Sequence, residues 1–495
     1  MHLYDKDLLS LQEVRELIGA AKKAQAELAE KTQEEVDRIV RSIADAGVRN
    51  ARRLAEMAHE DTGFGKVEDK IIKNIFASQG VYEYIKDMKT IGELERDDAR
   101  KMRTIAVPFG VIAGLVPSTN PTSTVLFKAE IAIKAGNAIV FSPHPSALRC
   151  ILETVKVIRQ AVAEAGGNEN LVSCITIPTM QATDSLMKHP DTAMILATGG
   201  AAMVRAAYSS GTPAIGVGPG NGPAFIERTA DVHLAVSRIM DSKTFDNGTI
   251  CASEQSIICE SDMRPIIRKE MEAQGAYFLN ADERVKLGKF ILRANGTMNP
   301  EIVGKSAQAI ADLAGLEIPA GTRVLVADED GVGRGHPYSN EKLAPILAFY
   351  TCSDYKEVCE MSCIILNYEG KGHTFSMHTK NDELVDYFAK RIPTSRIIVN
   401  TPSSLGGIGA TTGLMPSLTL GCGAVGGSAT SENVGPMQLF DRRHVAYGLR
   451  ELKDIRAGVP DCSDGICSVP QHGAAFDQAD IDAIVEKIIA RLKNS

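Results

Sequence analysis

No tryptophan occurs in the 495 residues, and no basic block interrupts a chain whose 54 Lys and Arg are outweighed by 62 Asp and Glu, for a formal charge of −8. Without a positive stripe there is no electrostatic reason to expect a nucleic-acid partner, and a small molecule is expected instead. Apolar runs fit to cross a bilayer are also missing. Thr104 to Phe127 carries no charge but is broken by Pro108, Pro117 and Pro121, and Ile397 to Ser431 is full of Gly, Ser and Thr, so no membrane span is expected. The start, Met1-His-Leu-Tyr-Asp-Lys-Asp, has charge where a secretory signal needs an apolar core. The ten cysteines are spread singly, which points to free thiols in a reducing cytoplasm. Cys462 and Cys467 lack the second Cys pair or His cluster that would complete a zinc site, so no metal is expected.

Glycine is plentiful, at 43 residues, which suits a frame of tight turns and close backbone approaches. Residues 8 to 90 show helical spacing, as in Val36, Ile39, Val40 and Ile43, and read as several helices. From Thr104 the pattern becomes strand and helix in alternation: Ile105 to Leu115, Val125 to Ala135, Ala138 to Phe141, Ala147 to Ala165, Leu171 to Ile177, Gln181 to His189, Thr192 to Ala197, Ala201 to Ser209. This predicts an α/β fold with a doubly wound parallel sheet. A second set of strands, at Gln255 to Cys259, Arg323 to Val326, Ile346 to Tyr350, Ser362 to Leu366 and Arg396 to Asn400, predicts a second α/β domain. The Gly-rich stretch Ser403 to Gly435 reads as a loop passing back beside the first. After Gly458 a Pro/Gly/Ser-rich tether leads to a last helix, where Ile481, Ile484, Val485, Ile488, Ile489 and Leu492 form an apolar stripe opposite Asp482, Glu486, Lys487 and Arg491. Such a stripe is expected to dock on its own protein, on a sister subunit or on another protein.

Four short segments carry chemistry. In Gly248-Thr-Ile-Cys-Ala-Ser-Glu-Gln-Ser256, Cys251 lies between a glycine turn and an expected helix start, whose backbone N–H groups would favour a thiolate nucleophile. In Val116-Pro-Ser-Thr-Asn-Pro-Thr122, Asn120 is held between prolines after a strand, and its amide is a candidate oxyanion donor. Thr198, Gly199 and Gly200 join a strand to a helix, so backbone amides can approach a phosphate. Ile215-Gly-Val-Gly-Pro-Gly-Asn-Gly-Pro223 leaves room for a ligand but offers no acid or base. Gly421-Cys-Gly-Ala-Val-Gly426 matches the dinucleotide fingerprint in letters only, since it does not open a strand–helix unit.

Taken in this order, Asn120, the 198 to 200 turn, the Gly216 to Pro223 loop and Cys251 resemble the aldehyde dehydrogenase superfamily. Phe141-Ser-Pro-His-Pro145, Ile215 to Asn221 and Gly248 to Ser256 look like its CoA-acylating branch, the acetaldehyde and propionaldehyde dehydrogenases. The resemblance implies two doubly wound α/β domains and a small oligomerisation arm. A nucleotide-binding domain would occupy 1–220, with 406–455 returning to it and 90–108 forming the arm. A catalytic domain would occupy 221–405, followed by a linker at 456–475 and an amphipathic tail helix at 476–495. It implies Cys251 as nucleophile and Asn120 as oxyanion donor. Ser142, Pro143, His144, Thr198, Gly199, Gly200 and Gly218 would bind NAD, with NADP not excluded, and Glu341 would hold its nicotinamide ribose. Gly216 stands where hydrolytic relatives have a water-activating Glu, so coenzyme A is expected to collect the acyl group from Cys251. Rescue of hydrolysis by Glu254 or Glu130 is the alternative, although Glu254 reads as a capping or solvated group; a non-catalytic shell adaptor is another. His373 and His378 are read as structural. The tail resembles peptides that direct enzymes into bacterial microcompartments through shell proteins, and the family suggests homodimers or homotetramers.

Overall fold

The structure, a computed structural model, describes residues 5–293 and 296–457. The expected linker and tail helix at 456–475 and 476–495 therefore lie outside the described residues, apart from the first two positions. Residues up to Leu94 with Ile105–Arg443 form one compact unit. Glu95–Thr104 with the chain from His444 form a second. A three-stranded sheet comprises Glu93–Asp97, Met102–Pro108 and Phe440–Ala446.

The larger unit holds two parallel sheets. The first has five strands in the order Val172–Cys174, Ala138–Pro143, Val111–Val116, Thr192–Thr198, Ala214–Val217. Val111–Val116 and Ala138–Pro143 are buried at every position, as strands covered on both faces must be. The second has seven, in the order Ala276–Phe278, Val324–Asp328, Ile346–Cys352, Glu254–Glu260, Gly222–Ile226, Gly372–His378, Thr394–Val399. Neighbouring Ile257 and Ile258 enter separate apolar clusters on its two faces, as the two-residue strand period requires. Val434, at the end of the glycine-rich stretch, and Leu439 and Phe440 beyond it pack into the core around the first sheet.

The helical N-terminal region consists of Lys6–Ala29, Gln33–Arg49, Ala51–Thr62, Val67–Ile75 and Val81–Ile85. Gln33–Arg49 starts with a full capping box of Thr32 and Glu35 and buries Val36, Ile39, Val40 and Ile43. Leu148–Glu164 likewise buries Ile151, Val155, Ile158 and Val162 of its predicted stripe.

Two expectations fail. Ser362 to Leu366 is not a strand but part of the helix Tyr355–Tyr368, whose buried residues Val358, Cys359, Ser362, Ile365 and Leu366 keep the helical period. A five-residue apolar run is too short to distinguish the two. The strand that stands beside it, Gly372–His378, was not foreseen. Ile105 to Leu115 is also not one strand: it divides at Phe109 and Gly110, with Gly110 at φ +125°, into Met102–Pro108 of the three-stranded sheet and Val111–Val116 of the five-stranded one.

Candidate active site

A cavity of about 430 Å³ lies where the C-terminal ends of the first sheet's strands face the N-terminal ends of two strands of the second. Loops leaving the carboxyl edge of a parallel sheet are where ligands of α/β folds bind. From the first sheet the cavity takes Asn120, Ser142, Pro143 and His144, then Thr198, Gly199, Gly200 and Gly218. Cys251, just ahead of the strand Glu254–Glu260, and Glu341 complete it, so every expected site residue lines one space. A Cβ added to Gly199 would touch only Met203, and one added to Gly200 or Gly218 would meet nothing within 4 Å, so the backbone there stands open to a ligand. The helix Ala201–Tyr208 begins directly after this turn.

Cys251 is placed by a turn and not by a helix. A short 3₁₀ segment, Phe245–Gly248, precedes it, and Ser253 N–H closes the turn on Ile250 O at 3.0 Å before the strand begins. The helix start expected to favour a thiolate is absent. Burial instead pushes the Cys251 thiol up to about 12, reinforced by the charge of Glu341 and opposed by Arg396. Gly220 makes the turn possible: its Cβ would lie 2.9 Å from the Cys251 carbonyl carbon and closer still to the oxygen. Gly220 N–H donates to Glu341 Oε1 at 2.8 Å, so one glycine loop ties the cysteine turn to the carboxylate.

Asn120 ends the turn after Val111–Val116 and begins the wholly buried helix Pro121–Lys134, with Pro121 supplying the fixed φ of a first helical residue. Its Nδ2 donates to Thr249 O at 3.1 Å, two residues from Cys251, and its Oδ1 accepts from Lys73 Nζ at 2.6 Å. Burial and the neighbouring Glu369 push Glu341 up to about 8. His144 bonds Ser146 Oγ through Nδ1 at 2.8 Å, and burial lowers its basicity.

Gly216 does not face the cavity. It lies in the strand Ala214–Val217, and its Cβ would meet Val204 at 2.7 Å and the Tyr208 ring at 2.9 Å. The residues of this loop that line the cavity are Val217, Gly218 and Pro219, none of which can activate water, so Glu341 is the one carboxylate among the lining residues. Glu254, expected to cap or to be solvated, is buried; its Oε1 accepts Ser403 N–H at 2.9 Å, and burial pushes it up to about 7. Glu130 is buried with neither oxygen bonded, and lines no part of the cavity. His373 and His378 are buried in the strand Gly372–His378, and burial drives them down to about 3 and about 4. Gly421 to Gly426 ends in a three-residue 3₁₀ turn, and Gly372 packs against it.

Sequence reasoning missed the lysines beneath this site. Lys128 Nζ donates to Leu115 O and Leu196 O, both at 2.8 Å, joining neighbouring strands at the cavity edge. Lys70 and Lys73 share Asp246. Lysines on a helix whose Ile71, Ile72 and Ile75 look like its core face carry no signal of their own.

The profile of the aldehyde dehydrogenase family matches residues 5–417. The bifunctional aldehyde-alcohol dehydrogenase AdhE of Escherichia coli is 45% identical over 442 residues, which are 88% of this chain and 50% of that protein. The chain thus spans about half the length of the bifunctional relatives it matches. An acetylating aldehyde dehydrogenase from Geobacillus thermoglucosidasius superposes with a TM-score of 0.89 at 51% identity, covering 91% of this chain and 99% of that one. A propionaldehyde dehydrogenase from Rhodopseudomonas palustris, solved with bound CoA and an acylated cysteine, superposes at 0.79 with 28% identity over 88% and 97%. The chain belongs to the aldehyde dehydrogenase family, in its acylating branch.

Proposed function

We propose that this chain oxidises a short, uncharged aldehyde such as acetaldehyde or propionaldehyde to its acyl-CoA, with Cys251 carrying the acyl group as a thioester. The observation that carries this reading is a cavity holding Cys251 and Asn120 whose one carboxyl, Glu341, accepts Gly220 N–H at 2.8 Å. Cys251 Sγ gives up its proton to solvent and bonds the aldehyde carbon, and the Asn120 amide and the Cys251 backbone N–H receive the oxyanion. A nicotinamide dinucleotide supplies the hydride acceptor when bound. The open Gly199, Gly200 and Gly218 backbone and the buried Glu341 carboxyl fit that group, the former passing its phosphates and the latter meeting a ribose diol. The one carboxyl of the cavity, Glu341, accepts Gly220 N–H and is assigned to the ribose, so none is left to activate water; the Cys251 thioester persists, and the thiolate of CoA takes the acyl group and returns the Cys251 thiolate.

No Lys or Arg among the described residues lines the cavity. This favours NAD over NADP, whose extra phosphate calls for a cation, and favours a neutral aldehyde over a carboxylated or sulfonated one. We further propose that residues 90–108 contribute to homodimers or homotetramers, that the chain works in the cytoplasm, and that 476–495 docks on a microcompartment shell protein. Absence of co-localisation of a 472–495 fluorescent fusion with shells would remove that last role. The central test is NADH formation from two-, three- and four-carbon aldehydes with and without CoA. CoA-dependent NADH with acyl-CoA as product supports the reading; NADH without CoA, yielding free acid, overturns it.

A further inference from the structure

Beneath the cavity lies a buried charge cluster. Asp246 Oδ2 accepts from Lys70 Nζ at 2.9 Å, from Lys73 Nζ at 2.6 Å and from Thr249 Oγ1 at 2.9 Å, and all three charged side chains are nearly inaccessible. Asp246 and Asn247 both hold left-handed backbone, at φ 47° and 52°, a region that residues other than glycine seldom enter. The surroundings fix it from several sides. Lys66 N–H donates to Asp246 Oδ1 at 2.7 Å, Asp246 N–H donates to Asp69 at 2.7 Å, and Asn247 Nδ2 donates to Gly304 O at 2.9 Å. Gly65 leaves the space that the Asp246 carboxylate fills, since a Cβ there would lie 2.9 Å from Oδ2 and closer to Oδ1. A strained, over-determined segment five residues ahead of a nucleophile is characteristic of pre-organisation.

Lys73 reaches one group more than Lys70 does. Besides Asp246 it donates to Asn120 Oδ1 and, at 2.9 Å, to Thr249 Oγ1, whereas Lys70 meets Asp246 and Thr119 O. An ammonium has three donors and no acceptor, so the Asn120 atom facing it must be the carbonyl oxygen. The NH₂ end is thereby turned to the nucleophile side, where it now donates to Thr249 O at 3.1 Å and to Thr119 Oγ1 at 3.3 Å. With Lys73 gone, the amide could rotate by half a turn, and an oxygen in place of the NH₂ would repel a developing oxyanion.

We propose that Lys73, held by Asp246, is a positioning residue that fixes which end of the Asn120 amide faces the carbonyl attacked by Cys251. Its kinetic consequence rests on the proposed acyl transfer; its geometric one does not.

The test joins kinetics to crystallography. Because one oxyanion donor is typically worth about 10² to 10³ in rate, Lys73→Met is expected to lower kcat for CoA-dependent NADH formation about 10²-fold while leaving KM for NAD near the wild-type value. Lys70→Met, which also strips a partner from Asp246 but leaves Asn120 bonded, is expected to lose far less. The Lys73→Met/Asn120→Ala double variant is expected to lie within about twofold of Asn120→Ala alone, since independent effects would multiply. In a neutron crystal structure of Lys73→Met, where the amide deuterons tell nitrogen from oxygen, the Asn120 Nδ2 contact with Thr249 O is expected to be broken. Multiplicative losses, an equal loss for Lys70→Met, or an Asn120 amide unmoved in the Lys73→Met crystal would each overturn the proposal. A wild-type protein without CoA-dependent NADH formation would refute the acyl-transfer reading instead, and the crystal structure would still decide the positioning.

Discussion

Gly220→Ala isolates the mechanical link between the glycine loop and the nucleophile. The added methyl would stand 2.9 Å from the Cys251 carbonyl carbon and closer to its oxygen, and neither atom belongs to a side chain that can rotate away. Carbon atoms in contact settle at about 3.5 to 4.0 Å, so either the turn bearing Cys251 or the loop bearing Gly220 must move by about 1 Å. Both movements strike the site, because the same loop donates its Gly220 N–H to Glu341. Misplacement of reacting groups by about 1 Å is worth about 10²-fold in rate, and the strain is expected to lower stability by about 1–3 kcal/mol. Steady-state NADH formation with saturating aldehyde and CoA reads the first effect, and urea unfolding the second. Gly413→Ala, whose Cβ direction meets nothing within 4 Å, provides the matched control. A folded Gly220→Ala enzyme turning over at the wild-type rate would show that the Cys251 turn adapts, and the steric reasoning would be wrong.

Cys251→Ala should abolish CoA-dependent NADH formation while cofactor binding, monitored by the fluorescence of NADH or by calorimetry, persists; sustained turnover would remove Cys251 from the chemistry. Because burial holds the Cys251 thiol near about 12, its alkylation by iodoacetamide in the ligand-free protein, read on the Cys251 peptide by mass spectrometry, should rise about tenfold per pH unit without levelling off by about pH 9. A plateau in that range would mean an activated thiolate. Glu254, pushed by burial from 4.5 to about 7, binds its proton more tightly when folded, so its contribution to stability falls as pH rises through that window, by about 3 kcal/mol in all. Glu254→Gln should flatten the difference in urea midpoint between about pH 5 and about pH 8, and an unchanged difference would refute the assignment.

The parts of the site legible in the sequence are those that punctuation marks. Asn120 sits between Pro117 and Pro121 at the end of an apolar strand, and Thr198 leads into Gly199 and Gly200; local chemistry alone requires turns there. All of them line the cavity. The electrostatics of Cys251 were not legible, because whether its turn opens a helix or a strand is decided by distant segments that pair with the next residues. Here Glu254 to Glu260 pairs with Gly222–Ile226 on one side and with Ile346–Cys352 on the other. The strand Gly372–His378 escaped for a related reason. All seven of its residues are buried, yet four of them are His, Thr or Ser, so the apolar signal that marks an interior strand is missing.

The helix Val67–Ile75 reverses the usual rule most completely. Ile72 is 51% exposed and Ile75 37%, while Lys70, Lys73 and Asn74 are buried, so an amphipathic reading places its inner face outward. The inversion makes sense only with Asp246 in place, about 170 positions later in the chain. Two ammonium groups can be buried there because a carboxylate, a hydroxyl and the Asn120 carbonyl accept their protons; burial still brings Lys73 down to about 8. An apolar helix in that position could satisfy the core equally well but could not orient an amide. In the proposed arrangement Lys73, Asp246 and Asn120 are what make this helix more than a cover for the sheet, and the meaning of these three side chains is wholly tertiary.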